Sequence, residues 1–401
     1  AWSLGTLLPC CKMKWCICLL FVEQLLAWSL GSHVFRIPQQ KGNLRRVQMM
    51  AADLLDTTQT YEAKKAATIA GLQREYDSFF QPSMETDLYT PDVEFQDPLI
   101  SLSGVEAYQR NVDMLAGANA IGKLCFTDCG LTMHNVTSPS QDTICTRWTL
   151  QFRFKLLPWR PLAQFSGISV YELDSDARVR RQQDYWDSVN LQAGDYSDVV
   201  GPAALLDLLR QLAPRDTAET ASGKELPYVL LRRTGRYEVR RYPQYVAIGT
   251  EYERRIDAFG TLGAYTNGAN DRETELVPFV PSLQSIPTED AQESKLMRWP
   301  LMLPALQQGE RAPPAPTGRV AAVSRLAMVP TQVVAVLAFN EPTTETFVRG
   351  WAGVLRSLVE EDGLIPQVSS AQDFQLAQFD ALNSLRQRRN EVWITLEQHP
   401  W

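Results

Sequence analysis

One pattern occurs twice in the second half of this chain, and that repetition constrains its fold more than any other feature. The first copy runs Tyr237-Glu238-Val239-Arg240-Arg241-Tyr242-Pro243-Gln244-Tyr245-Val246-Ala247-Ile248. The second runs from Val320-Ala321-Ala322-Val323-Ser324-Arg325 through Val329-Pro330-Thr331-Gln332-Val333-Val334-Ala335-Val336-Leu337. Each copy reads as a strand, a proline-marked turn, a strand and then an amphipathic helix, the helices falling at Tyr252 to Tyr265 and Glu345 to Glu361. Asn267-Gly268 and Gly363 close them as C-caps. A duplicated sheet-and-helix unit encloses a cleft between its halves, and clefts of that kind hold ligands.

At 401 residues the chain is too long for one ordinary domain and divides into two plus extensions. Helical spacing runs from Asp53 to Asp87 on Leu54, Leu55, Tyr61, Ala66, Ile69, Leu72, Tyr76 and Phe80, and Pro82 ends it. Asp92 to Pro98 alternates like a strand and Gly104 to Leu115 reads as a second helix. Strands are predicted over Gly122 to Val136, Thr143 to Leu156, Phe165 to Leu173 and Val179 to Ser188. Helix, short strand, helix and then a curved antiparallel sheet make a cone-shaped α+β domain with a pocket under its helices, residues 53–197. A helix over Asp198 to Leu212, built on Leu205, Leu206, Leu208, Leu209 and Leu212, and a polar linker from Pro214 fill 198–225. The duplicated domain is 226–401. The fold class is therefore α+β throughout.

Residues 1–52 read as a leader. From Met13 a basic start, an apolar run from Trp15 to Leu30 and the small residues Ser29, Gly31 and Ser32 follow signal-peptide order. The next stretch carries Arg36, Lys41, Arg45 and Arg46 with no acid before Asp53, which is transit-peptide composition. With Phe35 just past the cleavage region, the two parts resemble the plastid address of algae with complex plastids. A signal peptide with a plain leader, and hence a secretory destination, stays open.

The net charge of −7 gives no basic field for nucleic acid. The cluster Arg232, Arg233, Arg236, Arg240 and Arg241 reads as a solvated strand face. No phosphate loop, HExxH, GxSxG or dinucleotide fingerprint occurs, and the seven cysteines show no zinc or redox spacing. Three histidines, His33, His134 and His399, leave little for metal or acid–base chemistry. In the cone, Asp92, Asp97, Tyr76, Trp148, Tyr185 and Trp186 are candidates to line a pocket, with turn and core roles as the competing reading. The sequon at Asn135-Val136-Thr137 lies within a predicted strand.

Tyr237 to Tyr242, the helix end Tyr265-Thr266-Asn267-Gly268-Ala269-Asn270-Asp271, the loop Ala312-Pro313-Pro314-Ala315-Pro316 and the block Arg388-Arg389-Asn390-Glu391-Val392-Trp393 together resemble the SOUL haem-binding family. Leu88-Tyr89, Val93 to Pro98 and Ser103 to Tyr108 are similar to the nuclear-transport-factor-like domain of unknown function that precedes SOUL domains in plant and algal plastid proteins. The resemblance implies a pseudo-symmetric, twisted, barrel-like sheet with two helices behind the cone. It implies non-enzymatic binding, transport or buffering of haem or a related tetrapyrrole in a plastid. The expected partners are the tetrapyrrole and a haem-metabolism or plastid protein, with peripheral membrane contact compatible and no nucleic acid. A flat macrocycle with two propionates needs an apolar slot and cations, which points to Arg254, Arg255, Phe259, Leu262, Arg298 and Met302.

The chain departs from the family in places. Leu276-Val277-Pro278-Phe279-Val280-Pro281 replaces a methionine-threonine-proline strand, and basic positions of the first helix fall at Ile256 and Ala264. No histidine lies in the body of the domain, so His399 supplies an imidazole only by folding back. Two alternatives remain: a SOUL fold that binds a peptide, lipid or other apolar ligand without haem, and an enzyme using the cone pocket, which an Asp–His pair inside the cone would support.

Overall fold

A computed structural model describes residues 41–79, 81, 84–199, 201–213, 224–289, 294–301, 312–369, 372–379 and 389–401. The leader before Lys41, most of the linker, Phe80 and Pro82, and Met302 lie outside the described residues. The described chain opens with α1 (Lys41–Ser78) and continues through β1 (Tyr89–Gln96), β2 (Ser101–Ser103), α2 (Val105–Leu115) and α3 (Ala120–Cys125). Four long strands follow: β3 (Phe126–Ser140), β4 (Thr143–Phe154), β5 (Leu162–Leu173) and β6 (Val179–Trp186). They form one sheet in the order β2-β1-β6-β5-β4-β3, antiparallel except for β1 beside β6. From Thr60 onward α1 lays Leu72 and Tyr76 on this sheet, and α2 adds Tyr108 and Val112.

The strand expected from Gly122 starts four residues late, because Asn119 caps a helical turn by accepting from Gly122 N at 2.8 Å. A two-residue ribbon, β7 (Leu191–Gln192) and β8 (Asp195–Tyr196), leads to α4 (Pro202–Leu212). That helix corrects the sequence reading. Its buried side chains are Ala204, Asp207 and Gln211, while Leu205, Leu206 and Leu209 stand about half exposed. Asp207 decides the orientation: it pairs with Arg233 at 3.2 Å and accepts from Ser188 Oγ at 3.0 Å and Gln211 Nε2 at 3.1 Å. Turning the leucines inward would strip a charged guanidinium of its carboxylate.

The second domain runs β9 (Val229–Arg233), β10 (Glu238–Tyr242), β11 (Tyr245–Tyr252), α5 (Arg255–Thr266), β12 (Ser282–Ile286), β13 (Lys295–Pro300), α6 (Gly318–Val323), β14 (Ser324–Val329), β15 (Gln332–Phe339), α7 (Glu345–Glu361), β16 (Ile365–Pro366), β17 (Phe374–Gln378) and β18 (Asn390–Gln398). Its main sheet has the order β14-β11-β13-β12-β17-β18-β15-β10-β9, open at β14 and β9. The duplication appears directly in the pairing. β10 of the first copy pairs with β15 of the second, and β11 with β14, so the two hairpins exchange strands. Residues Val320 to Val323, expected as strand, form the short helix α6 instead, and the second copy's first strand begins at Ser324.

Helix α7 follows its predicted span and buries Val348, Ala352, Leu355 and Val359, a three-to-four-residue stripe, against β15 and β18. Helix α5 covers β11 through Ala258, Leu262 and Tyr265. Between the sheet's strands Trp393, with no exposed surface, stacks on Tyr242 at 4.6 Å. The two domains touch through β9, where Thr149 Oγ1 donates to Leu230 O at 2.9 Å and Arg233 N donates to Ser166 Oγ at 2.6 Å. No described helix is long and apolar enough to cross a membrane.

Candidate functional site

The helix expected to grip a ligand spends most of its side chains elsewhere. Arg254 is exposed and pairs with Asp257 at 2.8 Å. Arg255 donates to Thr343 Oγ1 at 2.7 Å and also to Thr343 O. Phe259 packs edge-on against Trp299 at 5.6 Å, and Leu262 has no surface exposed. A side chain with no free surface can shape a ligand wall only through its neighbours. Met302 lies outside the described residues. Ile256 and Ala264, at the positions where the resemblance led to an expectation of basic residues, are exposed and uncharged. Of the predicted set, Arg298 alone stands on a large cleft.

That cleft, about 680 Å³, opens at the proline turn of the second copy. Met328, Val329, Pro330 and Leu396 give it apolar walls; Gln332, Gln372 and Gln375 add amide groups; Arg241, Arg298 and His399 bring nitrogen chemistry. A second hollow of about 530 Å³, past Ala327 toward Gly249 and Arg325, shares Arg298 with it. Strand alternation explains the convergence. Arg240 points into the interior, 5% exposed, so its neighbour Arg241 must face the other way. The solvated-face reading of the arginine cluster is thereby corrected: Arg232, 3% exposed, and Arg240 are interior residues.

Arg298 sits where burial lowers its guanidinium from the ordinary range; Tyr245 opposes that only in part. Its one side-chain bond runs from Nη1 to Ser285 Oγ at 3.1 Å. Among the described residues neither Arg298 nor Arg241 meets a carboxylate within ion-pair distance, whereas Asp373 on the same cleft is taken by Arg356 at 2.6 Å. His399 does fold back: its ring lies on the cleft wall and its Nδ1 is buried without a hydrogen-bond partner. Among the described lining residues it is the one imidazole and Met328 the one thioether. The arrangement suits an amphipathic molecule with two acidic groups and a flat apolar body. No group of three or more His, Cys, Asp or Glu side chains among the described residues could cage a bare metal ion.

In the cone, Tyr76 and Trp148 line a small apolar cavity, as expected, together with Phe95, Tyr108 and Asp184. Asp97 is a turn residue, accepting from Leu99 N at 2.6 Å and Ile100 N at 2.7 Å, and Asp92 is exposed. Tyr185, adjacent to Asp184 on the strand, alternates to the other face, while Trp186 packs in the core at a tilt to Phe165, 4.5 Å between ring centroids. No Asp–His pair forms inside the cone among the described residues. His134 Nε2 contacts Thr149 Oγ1 at 2.7 Å, at the joint with β9. Asn135 of the sequon donates to Pro400 O at 2.8 Å. Asp184 was missed in sequence because it is a single acid in a strand, outside any spaced motif; His399, two residues from Trp401, was legible only as an imidazole that had to fold back.

Residues 66–181 match a family described as an uncharacterized conserved protein (DUF2358), and residues 223–395 match the SOUL heme-binding protein family. No curated protein matches the chain. Among solved structures, an NTF2-like protein of unknown function from Exiguobacterium sp. 255-15 is similar, at 18% identity over 29% of this chain and 98% of its own, with a TM-score of 0.23. RV0760c from Mycobacterium tuberculosis, in complex with estradiol-17beta-hemisuccinate, matches at 14% identity over 31% of this chain and 93% of its own, TM-score 0.24. The EcmrR C-terminal domain matches at 11% identity over 41% of this chain and 99% of its own, TM-score 0.30.

Proposed function

We propose that this chain, which carries a SOUL haem-binding domain behind an NTF2-like DUF2358 domain, binds haem or a related tetrapyrrole in the cleft at the second copy's turn and acts as a carrier or buffer rather than a catalyst. The observation that carries the reading is the pair Arg241 and Arg298, two guanidiniums without carboxylates on one apolar-walled cleft. Two propionates would complete them, each through charge-assisted hydrogen bonds that an arginine can make in bidentate form. At about 680 Å³ the cleft falls within the size range of small-molecule sites, roughly 300–1,000 Å³.

The buried Nδ1 of His399, without a hydrogen-bond partner, supports the reading: a small turn of the ring would present an imidazole nitrogen to a ligand in the cleft. Haem, when bound, supplies an iron with coordination positions open to ligands. The chain's own part is to neutralise the propionates with Arg241 and Arg298, to cover the ring with Met328, Val329 and Leu396, and to hold one imidazole beside it. We place the site here rather than on α5, whose exposed face carries Ile256 and Ala264 and no free cation.

Titration of the purified chain with hemin, followed by the Soret band and by tryptophan quenching, tests the reading. Saturable one-to-one binding tighter than roughly 10 μM, about 7 kcal/mol, is expected; failure to saturate by that concentration overturns it. The plastid destination is likewise proposed, on the order of charges and small residues in the leader. A fluorescent fusion of Met13 to Ala52 that stops in the secretory system removes it.

A further inference from the structure

The cone domain holds a carboxylate whose surroundings call for a cation that the described residues do not provide. β5 and β6 pair so that Ser169 faces Asp184 and Tyr171 faces Gln182, which puts Gln182, Asp184 and Trp186 in a row on the sheet face under the helices. Asp184 reaches into a cavity of about 80 Å³ walled by Tyr76, Phe95, Tyr108, Leu131 and Trp148. Tyr76, Phe95, Tyr108 and Trp148 are each at most 5% exposed, so the wall is part of the core and is held in shape.

Apart from the Asn111 amide, which also lines the cavity, the wall's polar atoms are engaged with one another. Tyr108 Oη donates to Gln182 Oε1 at 2.7 Å, Gln182 Nε2 donates to Asp184 Oδ1 at 2.9 Å, and Trp148 Nε1 donates to Ser169 Oγ at 2.8 Å. Tyr76 Oη meets Tyr171 Oη at 2.9 Å. Asp184 thus has neutral hydrogen-bond partners, Gln182 and Ser169, and no cationic one. Burial pushes its carboxyl up to about 7, and the charge of Asp97 adds to the rise. The other titratable groups facing it are Tyr76, pushed up to about 12, and Tyr108 and Tyr171, pushed well above the ordinary range by burial, so all three phenols stay neutral. Every described group lining the cavity is neutral or negative. An unpaired buried carboxylate is costly, and aromatic ring faces attract cations.

We propose that this cavity is a binding site for a small organic ammonium ion, held by the Asp184 carboxylate within the aromatic wall of Tyr76, Phe95, Tyr108 and Trp148. Size limits the ligand. A water-sized group takes roughly 10–15 Å³ of such space, so a cavity of about 80 Å³ admits on the order of half a dozen heavy atoms. Alkylammonium and trimethylammonium compounds are in that range; a steroid or a tetrapyrrole is not. The site is independent of the haem reading and lies in the other domain.

Calorimetry on the full chain with choline and with 3,3-dimethyl-1-butanol, its uncharged carbon isostere, tests the proposal at pH 7. Choline is expected to bind at least tenfold tighter than the isostere. Binding is also expected to release a fraction of a proton, read from the heat in buffers of different ionisation enthalpy, as the cation draws Asp184 to its charged form. Asp184→Asn, which keeps the shape, is expected to remove the preference for the cation and the proton release together. Equal or tighter binding of the alcohol, choline binding without proton release, or no binding of either compound at 10 mM overturns the proposal. If the Asn variant does not fold, the wild-type comparison and its proton count still decide.

Discussion

Arg240 Nη1 and Glu391 Oε2 meet 3.0 Å apart inside the second domain, with side chains 6% and 1% exposed. They join β10 of the first copy to β18, two strands separated in the sheet by β15, and Trp393 Nε1 adds a bond to Glu391 at 2.8 Å. Burial works against the Glu391 charge, yet Arg240 and Arg389 hold the carboxyl below its ordinary range. Glu391→Ala leaves a buried guanidinium short of its main partner, and a loss of about 3–5 kcal/mol is expected. Urea unfolding at pH 7 measures it. Because the folded carboxyl lies below its unfolded value near 4.5, the pair's contribution is present above that pH and is lost as pH falls through the folded value.

Glu75 has the opposite sign. It is 2% exposed on α1, accepts from Glu85 N at 2.6 Å and from Tyr89 Oη at 2.7 Å, and burial pushes it up to about 7. Its folded value above the unfolded one means that stability is fully present below about pH 4.5 and falls as pH rises to about 7. Glu75→Gln is therefore expected to gain on the order of 2 kcal/mol over the parent at pH 8 and nothing at pH 4.5, where both side chains are neutral. Denaturant midpoints at the two pH values check it.

In the cleft, Arg241→Ala and Arg298→Ala should each weaken hemin binding about tenfold, or about 1.4 kcal/mol. Arg254→Ala, already paired with Asp257 on the surface, should leave it unchanged. His399→Ala should shift the Soret maximum while altering affinity less, since it changes the iron's environment rather than the propionate grip. Soret titrations of the four variants separate these outcomes. Loss of binding in Arg254→Ala alone would return the site to α5.

The architecture was legible where burial is periodic. Helix α7 was readable to the residue because its apolar stripe and Gly363 define both ends, and the duplicated hairpins were visible through Pro243 and Pro330. The site was less so, since Arg241 looks like its neighbour Arg240 in sequence; only β pairing shows that one is interior and the other faces the cleft. Leu262 read as a ligand contact because helical spacing marks the buried stripe without saying what lies above it. The leucines of α4 misled for a related reason: a single carboxylate, Asp207, outweighed three apolar side chains, Leu205, Leu206 and Leu209, by holding Arg233. Asp184 had no motif to announce it; its meaning comes from the aromatic wall that the fold assembles from α1, β1, α2 and β4.

His134 makes the domain joint sensitive to acid. Thr149 Oγ1 gives its single proton to Leu230 O at 2.9 Å, so the contact of 2.7 Å between His134 Nε2 and the same oxygen requires the imidazole to donate. Burial, with Arg241 and Arg147 nearby, pulls the imidazole down to about 4, and Asp187 opposes this only in part. The folded value lies below the unfolded one near 6.5, so the stability it contributes is present above pH 6.5 and is lost as pH falls toward 4. Protonation places a charge between two arginines at the joint, and β9 should be the strand that loosens. Once the intrinsic slowing of exchange in acid is divided out, the amides of Leu230 to Arg232 are expected to show an excess loss of protection between pH 7 and pH 5, and His134→Gln, which cannot take up the proton, should abolish the excess. An unchanged excess in the variant assigns the acid sensitivity to another group.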